Sequence, residues 1–384
     1  MPFAAALSEH PVAADAVGEV LGSIVEQHGV DPDLVVVFAS AAHVEFLGEI
    51  SAAVRTVLRP GTLLGASASA VLAGPDEAEE APALAVWAAW GLPVRPLRLA
   101  AGPVHDDGDG PAVMVDGVPA DVAPDATLLV LADPFSFPAE GFLAQLGEVR
   151  PDLTVVGGLA SAASTPGGNA LVLDGAVHRD GAVGVVLPPG HAIVSQGCRP
   201  IGEPMVVTRA QSSRAGPGFL LELAGKPALD QLTAIAEGAS PDDRALLARG
   251  IHLGVAIDEH RLDFGRGDFL VRAVLGADRE RGVLAVAAPV PVGTTVQFHV
   301  RDAASADEDL RELLEGVEGS AALVFTCNGR GERLFGVGDH DASVVADALD
   351  TRAVAGMFCA GELGPVGGRS FLHGFTASVL VFRE

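Results

Sequence analysis

Side chains able to bind a ligand or react are concentrated in the last sixty residues of this 384-residue chain. They lie beside glycine turns in three short segments, Phe325–Gly331, Gly361–Pro365 and Phe371–Ser378. Glycine lets the backbone approach a ligand closely, and the Cys, Asn, Arg, Glu and His residues of these segments supply donors, acceptors and charge. We therefore expect a functional site to be built here.

Cys327 follows an apolar strand and precedes the turn dipeptide Asn328-Gly329. A thiol at a strand end, beside the backbone N–H groups of a turn, is a candidate nucleophile. His373 lies in an otherwise apolar strand and is a candidate general base for it. The alternatives stay open, because a lone cysteine is often a small core residue and a lone histidine is often a hydrogen-bonded one.

The triplet Asp339-His340-Asp341 could suggest a metal ligand set, but adjacent residues on one loop seldom converge on an ion. We expect Asp341 to cap the helix that follows instead. The glycine-rich stretches match neither a dinucleotide-binding nor a phosphate-binding loop. No metal and no cofactor are therefore expected.

The net charge is −26, from 50 acidic and 24 basic residues, and such a field repels nucleic acid and anionic lipid. The three cysteines show no disulfide framework. The first residues have no signal-peptide pattern, and the most apolar stretch, Ala81–Leu92, is too short to span a bilayer. These features predict a cytoplasmic protein without nucleic-acid or membrane partners, and they leave the oligomeric state open.

A block of strand, helix and strand that ends in glycine recurs three times along the chain, and each block is followed by a loop and a further strand. The first strands of the blocks are Leu34–Phe38, Leu128–Leu131 and Ala322–Phe325. The alternative is that a bias towards Ala, Val and Gly makes unrelated segments look alike. The pattern predicts an α/β or α+β fold with mixed sheets, built from repeated β-loop-α-β-loop-β units.

A region of different character separates the second block from the third. The length favours two domains, and the best boundary lies near Leu220–Lys226, which gives domains 1–222 and 223–384. Surface loops are predicted at Asp76–Glu80 and Gly108–Gly110.

An ordered set of segments across nearly the whole chain resembles the FIST family, a bacterial sensory module with an N-terminal and a C-terminal domain. The segments are Leu34–Ser40, Leu63–Ser69, Thr154–Ala160, Asp180–Gly184, Ser195–Gly202, Gly225–Leu229, Gly267–Arg272, Val296–Asp302, Phe325–Gly331, Asp339–Asp341, Gly361–Pro365 and Phe371–Ser378. The resemblance implies a FIST N-terminal domain over 1–222 and a FIST C-terminal domain over 223–384. It also implies a role in signal transduction, with amino acids or related polar metabolites as ligands.

Family members are fused to signalling outputs, whereas only about thirty residues precede the first buried strand of this chain. We therefore expect it to act without an output domain of its own, through a protein partner.

An amino-acid ligand needs an arginine for its carboxylate and an acid for its ammonium group. The candidates for the carboxylate are Arg330, Arg301 and Arg272. Glu362 and Asp302 are the candidates for the ammonium group, and structural salt bridges or exposed charges are the alternative for all of them. With Cys327, Asn328 and His373, the residues Arg301, Arg330 and Glu362 make the predicted binding site. The competing hypothesis is a thiol-dependent enzyme that uses Cys327 with His373.

Overall fold

The computed structural model describes residues 1–106, 111–212, 218–261 and 263–383, and the loop predicted at Gly108–Gly110 lies outside them. The chain forms two compact units, one of Met1–Val194 with Leu310–Glu384 and the other of Ser195–Asp309. These units differ from the predicted division at residue 222, because the third block of the sequence packs with the first two. The division into an N-terminal domain over 1–222 and a C-terminal domain over 223–384 remains a prediction from the sequence.

The elements before the second unit are β1 Phe3–Ser8, α1 Ala13–His28, β2 Leu34–Ser40, a 3-10 helix Ala41–Phe46, α2 Leu47–Val57, β3 Thr62–Ala68, β4 Val71–Ala73, β5 Asp76–Ala78, β6 Leu84–Ala89, β7 Arg95–Asp106, β8 Pro111–Asp116, β9 Thr127–Ala132, α3 Ala139–Val149, β10 Thr154–Leu159, β11 Leu171–Leu173, β12 Ala176–His178, β13 Ala182–Leu187 and β14 His191–Gln196.

The chain continues with β15 Cys198–Ser212, β16 Gly218–Leu223, β17 Lys226–Pro227, α4 Ala228–Gly238, α5 Pro241–Arg249, β18 His252–Ala256, β19 Phe269–Asp278, β20 Val283–Val286, β21 Thr295–Arg301 and α6 Ala303–Leu314. It ends with β22 Ala321–Cys327, α7 Glu332–Phe335, α8 His340–Ala348, β23 Val354–Cys359, β24 Glu362–Val366, β25 Arg369–His373 and β26 Thr376–Phe382. The predicted mixed α/β fold is confirmed.

Three sheets of the first unit share one local strand order. Their central strands run β6-β2-β3, β13-β9-β10 and β26-β22-β23. In each set the second and third strands are parallel and are joined through a helix. The first strand is antiparallel to the second. The three predicted blocks are therefore three copies of one β-α-β-hairpin-β repeat, and composition alone does not account for their similarity.

The hairpin of each repeat joins the sheet of a different repeat. The hairpin β4–β5 of the first repeat pairs with β23, β11–β12 of the second pairs with β3, and β24–β25 of the third pairs with β10. The exchange is cyclic, so residues far apart in sequence meet at the ends of the sheets.

The inner faces of the three sheets meet in one apolar core, and helices cover the outer faces. Phe38 from β2, Leu131 from β9 and Phe325 from β22 lie in this core, and the rings of Phe38 and Phe325 meet edge to face at 6.1 Å. Because both faces of the central strands are covered, these strands are apolar without interruption, as in Leu34–Ala39.

A glycine occupies the same position in the parallel strand pair of each repeat. Gly157 and Gly356 lie opposite Val130 and Val324 in the parallel pairs, as Gly65 lies opposite Val37. A Cβ atom on Gly157 or Gly356 would collide with the carbonyl oxygen of the facing valine. Glycine is therefore required for the strands to pass this closely, and positions in the repeats can be compared by counting from it.

The second unit contains a sheet that closes on itself. Its strands run β15-β21-β18-β19-β20-β16, and a further pairing of β16 with β15 completes the ring. Leu253 and Phe298 lie in its core, together with residues of α4 and α5. No helix in the described part of the chain is both long and apolar enough to cross a membrane.

Candidate functional site

A buried ion pair lies at the carboxyl end of the third sheet. Arg330, in the loop after β22, donates from Nε and Nη2 to the Asp341 carboxylate at 2.7 and 2.8 Å. Both side chains are fully inaccessible to solvent, and Thr326 Oγ1 also donates to Asp341. The two parallel bonds have the bidentate geometry that makes such pairs strong.

Each group of this pair stabilises the charged form of the other. Burial opposes ionisation of both groups, and attraction between them more than offsets it. The pKa of the Arg330 guanidinium is therefore raised and the pKa of the Asp341 carboxyl is lowered. The Arg330 guanidinium also lies 5.2 Å from the centre of the Phe335 ring, a favourable distance for a cation over an aromatic face.

Glu362, the first residue of β24, is the second acidic group of the cluster and is also fully buried. Its Oε2 accepts hydrogen bonds from the backbone N–H of Thr376 at 3.2 Å and from Thr376 Oγ1 at 2.8 Å. Burial raises the pKa of Glu362 to about 8, although the Thr376 bonds and the charge of Arg330 favour the ionised form. This shift favours the protonated form of Glu362 at neutral pH.

A third acid reaches the cluster from the first repeat through the exchanged hairpin. Glu77 of β5 accepts a 2.9 Å hydrogen bond from the backbone N–H of Ala342, in the first turn of α8. Burial and the nearby Asp341 carboxylate raise the pKa of Glu77 to about 8. Its own backbone N–H donates to Asp339 Oδ1 at 2.7 Å. Glu79 accepts a similar bond from the N–H of Glu332.

Two predictions about these residues are wrong. Asp76–Glu80 is not simply a surface loop, because Asp76–Ala78 forms β5 and carries Glu77 into the cluster. Asp341 does not cap α8, since Asp339 occupies that position and Asp341 turns inward to Arg330. Asp341 could have been recognised from its spacing to Val344 and Val345, which places it on the apolar face of the helix.

Three buried polar atoms of the cluster have unused hydrogen-bonding capacity. Arg330 Nη1, Glu362 Oε1 and Glu77 Oε2 are inaccessible to solvent and have no hydrogen-bond partner within the described ranges apart from the Cys327 thiol, which bonds to the Glu362 carboxyl group. Buried polar atoms are nearly always paired, so each unpaired one requires an explanation, such as a bound molecule. One of the three is a donor on a cation, and the other two belong to carboxyl groups.

Comparison of the repeats shows that the fold does not require these charges. Glu362 pairs with Gly158, one residue after the shared glycine of β10. The residues that pair with the equivalent positions of the other two sheets are Val71 and Leu171. The architecture therefore accepts an ordinary apolar side chain where the third repeat buries a glutamic acid. A costly buried acid at such a position is typical of a functional residue.

The other predicted site residues have different environments. Cys327 ends β22, is 7% exposed, and its Sγ lies 3.9 Å from Oδ1 of Asn328, which is exposed. His373 is buried opposite Glu362 in the β24–β25 pair, with Nε2 3.0 Å from the carbonyl oxygen of Gly364. Cys327, Arg330, Glu362 and His373 are thus gathered at one end of the first unit.

The remaining candidates belong to the second unit. Arg301 ends β21 and Arg272 lies in β19. Asp302 accepts a 2.6 Å bond from Arg199 Nε, so this acid is committed to an ion pair. Among the residues described, the histidines, cysteines and acids form no group placed to hold a metal ion. The sequence-based site therefore omitted Glu77, Asp341 and Thr376 and included Arg301 from another unit.

Comparison with known proteins identifies the family. The model of the FIST N domain matches residues 33–225, and the model of the FIST C domain matches residues 228–365. The chain belongs to the FIST family. An uncharacterised protein of Mycobacterium tuberculosis strain CDC 1551 / Oshkosh is 42% identical over 365 residues, which is 93% of each chain. An uncharacterised protein of Mycobacterium bovis is 41% identical over 382 residues, 97% of this chain and 96% of the relative. FIST domains are associated with sensory signal transduction.

Proposed function

We propose that this FIST protein is a sensor that binds a small polar metabolite carrying both a carboxylate and an ammonium group, such as an amino acid. The main support is the pair of buried atoms with unused capacity, Arg330 Nη1 and Glu362 Oε1. One belongs to a cation and the other to a carboxyl group, and Glu362 lies where the other repeats have valine and leucine.

Arg330 Nη1 suits the ligand carboxylate, because the other two nitrogen atoms, Nε and Nη2, already donate to Asp341 and hold the guanidinium in one orientation. Glu362 Oε1 suits the ammonium group. An ammonium group close to Glu362 would favour its ionised form, so that binding at neutral pH would release a proton. A ligand with only a carboxylate lacks this contact and is expected to bind more weakly.

Ligand binding would be transmitted as a structural change through the contacts that surround Arg330. The exchanged hairpin rests on α8 through Glu77 and Ala342, and Arg330 holds Asp341 on the same helix. A ligand that draws Arg330 towards itself would change how the hairpin and α8 pack together. We propose that a protein partner reads this change, and that no output domain within this chain is needed.

A thermal-shift screen of amino acids and related metabolites tests the proposal. At about 100 times its dissociation constant, a true ligand adds roughly 2.7 kcal/mol of stability. Glu362→Gln keeps the size of the side chain and is expected to abolish the shift, whereas the exposed control Glu315→Gln should keep it. The proposal fails if no metabolite stabilises the protein, or if Glu362→Gln responds like the wild type.

A thiol-dependent enzyme is the second candidate, since Cys327 lies at a strand end near the Glu362 carboxyl group. In that case Cys327 is the nucleophile and His373 its general base. Iodoacetamide should then alkylate Cys327 rapidly at neutral pH, and His373→Ala should slow the reaction. Slow alkylation that His373→Ala leaves unchanged would remove this candidate and leave the sensor.

A further inference from the structure

Two cysteines stand opposite each other at the end of the third sheet. Cys327 and Cys359 are the last residues of β22 and β23 and are direct partners in the parallel register. Neighbouring strands lie about 4.8 Å apart, within the range of roughly 4.4–6.8 Å between Cα atoms that a disulfide spans. Residues paired in this way project from the same face of the sheet. Both are present as thiols.

The two thiols and one acid face one another. Burial raises the pKa of Cys359 well above its usual value, and the nearby Glu362 and Cys327 add to the effect. Cys359 Sγ occupies the space above Gly158, since a Cβ atom on that glycine would collide with it. Gly158 is itself the partner of Glu362 in the β10–β24 pair. The side chains of β22, β23 and β24 therefore converge at this point.

The fold does not require two sulfur atoms at this position. Counted from the shared glycine, the equivalent pair in the first repeat is Ser40 with Ala68, which are also register partners. In the second repeat the same count gives Asp133 and Ala160. The facing thiols are a property of the third repeat, where the charged cluster also lies.

We propose that Cys327 and Cys359 form a redox-sensitive thiol pair that hydrogen peroxide converts into an intramolecular disulfide between the ends of β22 and β23. This goes beyond ligand sensing and does not depend on it. Cys327 reacts first, because it is 7% exposed whereas Cys359 is fully buried. Its sulfur attacks one peroxide oxygen, the O–O bond breaks, and a sulfenic acid and one water molecule result.

In the second step Cys359 Sγ attacks Cys327 Sγ. The S–S bond forms as the S–O bond of the sulfenic acid breaks, and the departing hydroxide takes up the thiol proton to leave as water. Glu362, which faces both sulfur atoms, is positioned to carry that proton. In sum, two thiols are oxidised to one disulfide, and one peroxide molecule is reduced to two water molecules.

The test treats the full chain with hydrogen peroxide, digests it without reduction and maps the cysteine peptides by mass spectrometry. We expect one linked pair of peptides containing Cys327 and Cys359, lighter than the separate peptides by the mass of two hydrogen atoms and released by dithiothreitol. Cys198, a buried thiol of the second unit, is the internal control and should stay reduced. Cys359→Ala should stop at a sulfenic acid on Cys327 that dimedone traps, and Cys327→Ser should form neither product.

Three results would overturn the proposal. The wild type could keep all its thiols at peroxide concentrations that oxidise the denatured chain. The disulfide could form only between molecules, which a non-reducing gel detects. The linked peptides could contain Cys198. The measurement on the wild type needs no variant to fold, and it is independent of any ligand.

Discussion

Replacing Arg330 by methionine is expected to lower the free energy of unfolding by about 3–5 kcal/mol. The substitution leaves the Asp341 carboxylate fully buried with its charge uncompensated, although its bonds from Thr326 and His340 remain. Urea unfolding at pH 7 measures the change. The exposed control Arg333→Met should cost less than about 0.5 kcal/mol.

A second substitution at Asp341 distinguishes the lost ion pair from lost packing. The double variant Arg330→Met with Asp341→Leu removes both charges and is expected to recover most of the lost stability, because apolar replacement of a whole buried pair is often neutral. The difference between the single and double variants gives the coupling energy. An Arg330→Met variant as stable as Arg333→Met would show that the pair does not support the fold.

The stability of the protein is expected to fall between pH 5 and pH 9, by roughly 4 kcal/mol for each of Glu77 and Glu362. The folded pKa of each is about 8, whereas the model value is 4.5. The folded chain therefore holds protons that the unfolded chain has released, so stability is highest below the unfolded pKa and is lost as pH rises through the folded one. Glu77 loses its proton beside Asp341, Glu79 and Asp339, which oppose its charge.

Urea midpoints measured across this range for Glu77→Gln and Glu362→Gln test the prediction. Each variant should flatten the decline, and the exposed Glu80→Gln should follow the wild type. Asp341 acts in the opposite direction: its pKa is lowered, so its contribution disappears as the pH falls into the acid range. A wild type whose stability rises from pH 5 to pH 9 would contradict the assignment of Glu77 and Glu362 as protonated groups.

Sequence patterns predicted the repeats correctly because their determinants are local. Runs such as Leu34–Ala39 are apolar on both faces, and the glycine opposite each buried valine marks the close passage of two parallel strands. These features, together with a helix between the strands, identify one supersecondary unit wherever it occurs.

The cluster could be predicted only in part. Glycine turns beside charged residues drew attention to Arg330 and Glu362, and the structure buries both in one cluster. Asp341 and Glu77 were overlooked because each was judged from its own neighbours, as a helix cap and as part of an acidic loop. Their roles depend on partners that lie 11 residues away for Asp341 and 265 residues away for Glu77.

The sequence by itself determined the mixed α/β class and the three copies of one folding unit, since these depend on periodicity and composition within short windows. The family followed from the resemblance of an ordered set of segments along the chain. Only the tertiary structure decided that the hairpins exchange between repeats, and this exchange brings Glu77 to α8 and Glu362 to β10. The physical reason is that short hairpins have little preference of their own for a sheet edge, and their place is fixed when three sheets close around a shared apolar core.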